Sequence, residues 1–245
     1  MRIDLNSDLG EGAGADADIM PLITSANIAC GAHAGDQSTM EAAVALALRH
    51  GVAIGAHPGY RDAANFGRVP LDIPAEALRV DIRAQLVALG TVAERAGAQV
   101  TRVKAHGALY NQGEREEGIA ATIAQAVADV DPELVLVAPP GSAMARAAES
   151  AGLRVWREGF IDRAYEPDGR LRSRRLAGAL ITDPATAAAQ ALSFVVDGGV
   201  VAQDGRFLAL EVDTLCVHGD TPGAPAILRA VRAVLVANGV AVRGT

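Results

Sequence analysis

The stretch RIDLNSD at residues 2–8 alternates strictly, with Ile3, Leu5 and Ser7 on one side of an extended chain and Asp4, Asn6 and Asp8 on the other. Two later stretches repeat the pattern. In RVKAH (102–106) Val103 and Ala105 oppose Arg102, Lys104 and His106, and in TLCVH (214–218) Leu215 and Val217 oppose Thr214, Cys216 and His218. Ser25, Asn27 and Ala29 share a face in a fourth run, and Ala53, Gly55 and His57 in a fifth. Strands predicted over 2–7, 23–30, 52–57, 100–106, 133–138, 153–158 and 213–218 alternate with helical patterns over 37–50, 74–96, 115–130, 142–151, 184–197 and 223–238. That order specifies a parallel sheet with helices outside it. A parallel sheet rarely leaves a face bare, so the apolar faces belong against helices and the polar faces inside a barrel of seven βα units. An open sheet with one wet face is the alternative that alternation alone allows. Val200–Val201 and Phe207–Leu210 flank Gln203-Asp204-Gly205, which predicts a hairpin before the last strand. No linker, low-complexity tract or repeat divides the chain, and residues 1–245 read as a single β/α-barrel domain.

Bulk composition narrows the functional classes. The apolar stretches, such as 42–48, fall far short of the roughly 20 residues that span a bilayer, so no membrane partner is expected. Acidic residues stand where a signal peptide would be basic, and the expected location is cytoplasmic. Two cysteines, Cys30 and Cys216, cannot build a disulfide framework. A net charge of -7 opposes a nucleic-acid partner, and the short cluster Arg170–Arg175 reads as a solvated loop.

The inward face concentrates groups that are costly to bury. Asp4, Asn6, Asp8, Asn27, His57, Lys104, His106 and His218 must pair with one another if they share an interior. His33, His57, His106 and His218 all fall where strands end and loops begin, the end of a β/α barrel that carries catalysis. His50 precedes Gly51 at a helix end and reads as part of a cap. Lysine usage points to the same place: the chain has 21 arginines and one lysine, Lys104, with Asp4 or Asp8 as its expected counter-ion.

Known short motifs are mostly absent. Cys30-x-x-His33 with Cys216-x-His218 has no usual zinc-finger spacing, and Cys30 groups with Ile28 away from the polar face. A catalytic divalent metal held by Asp8, Glu11 and two histidines suits the residue types better. Gly10-Glu11-Gly12-Ala13-Gly14 matches neither nucleotide-binding loop, and no serine-hydrolase elbow occurs. Asp162, Arg163 and Tyr165 follow a strand, either to contact a ligand or as a surface ion pair.

The blocks IDLNSDLGEG, SANIACGAHAGD, GVAIGAHPGY, NFGR, VKAHGALYN, DRAY and CVHGD resemble, in order, those of the LamB/YcsF family, from residue 2 to about 235. That resemblance implies a seven-stranded barrel similar to the glycoside hydrolase/deacetylase fold. It also implies the role of the A subunit in an ATP-dependent 5-oxoprolinase that works with subunits B and C. The reaction so implied opens the lactam of 5-oxoproline to glutamate while ATP becomes ADP and phosphate. Departures from the family pattern are Ser7 for Cys, Ala32 for Phe, Gln37 and Arg61 for Pro, and Ala105 for Pro. For such a reaction Asp8 or Glu11 with His57 or His106 would move protons. Lys104 would stabilise developing negative charge. Asn27, His33, Asp36 and Asn111 would orient substrate, with Asp162, Arg163, Tyr165, His218 and Asp220 completing the ring of strand ends. The competing expectations are a metal-dependent deacetylase or amidohydrolase working without ATP, and a non-catalytic ligand-binding barrel.

Overall fold

The computed structural model describes residues 1–244. Strand β1 (Arg2–Leu9) is followed by a one-turn helix α1 (Asp16–Ile19), strand β2 (Ser25–Ala29), helix α2 (Gln37–His50) and strand β3 (Ala53–His57). Helix α3 (Ala75–Arg95), strand β4 (Val100–Lys104), helices α4 (Gly107–Gly113) and α5 (Glu117–Val130), and strand β5 (Val135–Ala138) come next. Helix α6 (Ala143–Ser150), strand β6 (Arg154–Phe160) and helix α7 (Pro184–Leu192) precede a hairpin of β7 (Gly199–Val201) and β8 (Phe207–Ala209). Strand β9 (Thr214–Cys216), helix α8 (Ala224–Ala237) and a two-residue strand β10 (Ala241–Val242) finish the described chain.

Strands β1 to β6 pair in sequence, all parallel, and β9 pairs with both β6 and β1. The sheet therefore closes into a barrel of seven parallel strands, and β10 extends the start of β1. Closure leaves no free edge on the seven, which rules out the open sheet. The outward faces are apolar: Leu5, Ile28, Ala56, Val103, Leu136 and Leu215 are fully buried beneath the helices. Each large side chain so buried contributes about 1.5–3 kcal/mol relative to exposure.

Local chemistry sets the element ends. The Asp36 carboxylate accepts the Thr39 amide at 2.8 Å and caps α2, and Gly51 ends that helix in the left-handed region at φ 64°. The helix read over 184–197 ends as α-helix at Leu192, and residues 193–197 widen into a π turn. Helix α4 lies between the strand and helix read at 100–106 and 115–130 and had no counterpart in the sequence reading.

Candidate active site at the barrel mouth

Strand register stacks the inward polar side chains in layers. Lowest, Asp4 accepts Ser25 Oγ at 2.7 Å and Thr214 Oγ1 at 2.6 Å, and its other oxygen faces Arg102 at 3.5 Å. The Arg102 guanidinium lies over Trp156, 4.2 Å from the ring centroid. Gly55 permits this, because a Cβ there would stand 2.7 Å from Arg102 Cγ and 3.1 Å from Asn27 Oδ1. Asp4 thus belongs to Arg102, and Lys104 to the layer above.

In that layer Lys104 Nζ lies 2.9 Å from Asp8 Oδ1, 2.8 Å from Glu158 Oε1 and 3.1 Å from Cys216 Sγ. Its hydrogen bonds run to Asp8 and Cys216, the Glu158 contact is an ion pair, and Lys104 also lines the cavity above. Its charge is thus held at the cavity floor beside Asp8. Tyr110 donates to the other Glu158 oxygen at 2.8 Å. Glu158 is the principal site residue that sequence reading missed. It shares a face with Trp156 and Phe160, whose apolar character hid the alternation that would have exposed it. Asn27, fully buried, donates to Asp8 Oδ1 and Asn6 Oδ1 at 2.9 Å each, so it supports Asp8 from below the cavity.

Burial opposes ionisation of Asp8, yet His57, Lys104 and His218 around it hold its carboxyl well below the usual range. Lys104 is the permanent charge among these. Burial pushes Glu158 up, with Asp8 adding to the effect against Lys104. For Lys104 itself burial is outweighed by Asp8, Cys216 and Glu158, which hold the ammonium charged. The two carboxylates flanking one cation are thus displaced in opposite directions.

Beside Asp8 stands a cluster of three histidines and Glu11. Glu11 Oε1 is 3.1 Å from His33 Nε2, 3.1 Å from His106 Nδ1 and 3.6 Å from His57 Nε2. His33 and His106 stack in parallel with centroids 3.8 Å apart. His57 Nδ1 donates to the Lys104 carbonyl at 2.8 Å, and His106 Nε2 donates to the Phe66 carbonyl at 2.9 Å. Phe66 adopts φ 55°, and it alone does so among the described non-glycine residues; its ring packs edge-on against both His33 and His106. Holding a bulky residue there costs energy, and here it aims a carbonyl at a catalytic-looking histidine. Burial pushes His57 down to about 3, so its imidazole is neutral around pH 7.

On the other side, Asp162 is fully buried and accepts His218 Nδ1 and Thr221 Oγ1, at 2.9 and 2.6 Å. It orients His218 from behind, and the surface ion pair with Arg163 considered from sequence is absent among the described residues. Tyr165 is also buried, its hydroxyl accepting the Phe160 amide at 2.8 Å, so it braces β6. Asp36 is an exposed cap of α2 and is not among the residues that line the cavity at the barrel mouth.

Above these groups opens a cavity of about 470 Å³, a usual size for a small-molecule site. Asp8, His57, Lys104, His106 and His218 all line it. Asn111 reaches its wall, as do Arg68, Arg115 and Arg163. Arg172, Arg174 and Arg175 line it too, which corrects the reading of 170–175 as a merely solvated loop. Asp220 neutralises part of this wall, meeting Arg68 at 2.6 Å and Arg174 at 3.0 Å. Arg163 and Arg175 have no carboxylate partner among the described residues, so the cavity carries surplus positive charge in a chain of net charge -7.

A closed seven-stranded β/α barrel with its acid, histidine and arginine groups at one mouth defines the class. The chain belongs to the LamB/YcsF family, whose pattern matches residues 3–245. It is 49% identical to the 5-oxoprolinase A subunit of Symbiobacterium thermophilum over 98% of this chain and 94% of that one. It is 48% identical to the 5-oxoprolinase A subunit of Heliobacterium modesticaldum over 99% and 98%. The crystal structure of a lactam utilization protein from Thermus thermophilus superposes with a TM-score of 0.94 at 44% identity, covering 100% of both chains. A peptidoglycan deacetylase from Bacillus subtilis shares the fold alone, at TM-score 0.50 and 10% identity over 99% of this chain and 86% of that one.

Proposed function

We propose that this chain is the A subunit of an ATP-dependent 5-oxoprolinase, working in the cytoplasm with subunits B and C to open 5-oxoproline to L-glutamate. The observation that carries the reading is the cavity itself, which sets an ionised Asp8 and a neutral His57 beneath an arginine wall. The names of its relatives, lactam utilization protein and 5-oxoprolinase A subunit, support the substrate class and an enzyme built from several different chains.

The arginine wall would seat the ring carboxylate, with surplus charge for a phosphoryl group. An unstrained lactam is a poor electrophile, and ATP consumed by the complex supplies the activation of its carbonyl. A phosphoryl group moved from ATP to the lactam oxygen, with release of ADP, would leave the ring carbon open to water, which bonds to it as the C–N bond breaks. A second water then releases phosphate from the resulting acyl phosphate and leaves the carboxylate of glutamate. Asp8, 3.5 Å from His57 Nε2, takes the water proton directly or through His57, and His218, held by Asp162, stands ready to protonate the departing nitrogen. Because the chain lacks a nucleotide-binding loop, ATP is assigned to the assembled complex. A metal-dependent amidohydrolase working without ATP is the second reading, favoured by the cluster of Glu11 with three histidines.

The test is turnover of 5-oxoproline and ATP by the isolated chain and by the chain combined with subunits B and C. Glutamate and phosphate released only by the combination is the expected result. ATP-independent opening by the isolated chain would favour the second reading and overturn this one.

A further inference from the structure

Three ring nitrogens and one carboxylate oxygen gather beside Asp8: His33 Nε2, His57 Nε2, His106 Nδ1 and Glu11 Oε1 all lie within 4.8 Å of one another. Their separations include 2.9 Å for His57–His106, 3.1 Å for Glu11–His33 and Glu11–His106, and 3.6 Å for Glu11–His57. A four-coordinate ion with bonds of roughly 2.0–2.1 Å to nitrogen and oxygen spaces its ligands about 3.3 Å apart. Four of the six pairs stand near that spacing, and the other two, His33 with His57 and with His106, lie within 4.8 Å.

Glu11 and His33 share a hydrogen bond, but with both other rings neutral the contact between His57 and His106 is left without a proton. A carbonyl only accepts, so the proton of a neutral His57 is on Nδ1, facing the Lys104 carbonyl, and that of a neutral His106 is on Nε2, facing the Phe66 carbonyl. Their remaining nitrogens then oppose each other at 2.9 Å, lone pair to lone pair, with an acceptor-only carboxylate as the third neighbour. A cation between them would meet both lone pairs and the carboxylate. Carbonyls that fix the far nitrogen are also what orients histidine ligands in metal sites.

We infer that Glu11, His33, His57 and His106 form a binding site for one divalent transition-metal ion, with zinc the best match to three imidazoles and a carboxylate. The set keeps Glu11 and two histidines of the ligands expected from sequence and adds a third histidine, with Asp8 as neighbour: its Oδ1 is engaged by Lys104 and Asn27, and its Oδ2 lies 3.5 Å from His57 Nε2. A bound ion would polarise a carbonyl or water at the cavity floor, where His57 and His106 are exposed to ligand. The site stands on its own geometry and does not rest on the lactam reading.

The full chain, stripped with chelator, is titrated with Zn²⁺ by calorimetry and with Co²⁺ by visible absorption. Expected are about one ion per chain, a rise in melting temperature on binding, and a cobalt spectrum without a thiolate charge-transfer band. Glu11→Gln and His57→Gln should each weaken binding by roughly tenfold to a hundredfold or more, while circular dichroism of the chelated variants matches the parent. Cys216→Ala should leave binding unchanged, which separates this site from the Asp8, Cys216 and His218 group nearby. Absence of stoichiometric binding, a thiolate band, or unchanged affinity in folded Glu11→Gln and His57→Gln variants would overturn the assignment.

Discussion

Replacing Lys104 with Met keeps the length and apolar stem of the side chain and deletes one charge from the barrel interior. The ammonium lies 2.9 Å from Asp8 and 2.8 Å from Glu158, and at an effective dielectric near 20 each contact is worth about 6 kcal/mol of Coulomb attraction. Desolvation of the buried ions offsets most of that gain, and removing one partner of a buried pair costs about 3–5 kcal/mol net. Unfolding entropy scales with length, at about 0.5 kcal/mol/K for 245 residues, so the melting temperature should fall by about 6–10 °C near neutral pH. Without Lys104, Asp8 and Glu158 become buried carboxyls with raised pKa values, a condition whose cost is small when they are protonated and grows as pH rises through those values. The deficit measured by urea unfolding should therefore be larger at pH 8 than at pH 5. A deficit below about 1 kcal/mol at both pH values would refute the claim that Lys104 neutralises the two carboxylates. Lys104→Arg should also destabilise the fold, because a guanidinium overpacks the space between Asp8, Glu158 and Cys216, typically by about 1–3 kcal/mol.

Two further outcomes follow from the mouth. Arg175→Met removes an exposed cavity-lining cation with no carboxylate partner among the described residues, so in the assembled enzyme KM for 5-oxoproline should rise about tenfold with kcat little changed; an unchanged KM would remove the arginine from substrate binding. Asp162 is held below its ordinary pKa despite burial by His218 and Thr221, so its stabilisation is complete above the unfolded value near 4 and is lost as pH falls below it. Urea midpoints of the parent and Asp162→Asn should converge between pH 5 and pH 3, and a constant gap would contradict the pairing.

Much of the barrel was legible because a strand has a period of two, so six polar and apolar residues in β1 sufficed to define both faces. Its closure followed from the cost of leaving a parallel sheet uncovered. Lys104 was legible for a compositional reason, as the lone lysine of an arginine-rich chain. Glu158 was not, because its neighbours on the inner face of β6 are the aromatic Trp156 and Phe160, which serve as partners for Arg102 and Lys104. The left-handed Phe66 was invisible for the opposite reason: local propensity argues against it, and only packing on His33 and His106 holds it there. Arg172, Arg174 and Arg175 read as solvated because the path that folds their loop over the mouth is set by long-range contacts such as the bridge between Arg163 and Leu180. Asp36 carried a capping signal, Asp followed three residues later by Thr, that outweighed its place in a histidine-containing block.

Whether the Asp8 mouth of this barrel opens the lactam is decided by glutamate release from 5-oxoproline by the complex reconstituted with Asp8→Asn in place of the parent chain. Asn is isosteric, and Asn27 and Lys104 still find an oxygen at that position. Normal association with subunits B and C is expected, with a loss of glutamate release of at least about a hundredfold, the scale of removing a positioned base. Normal association with glutamate release near that of the parent would contradict that role for Asp8.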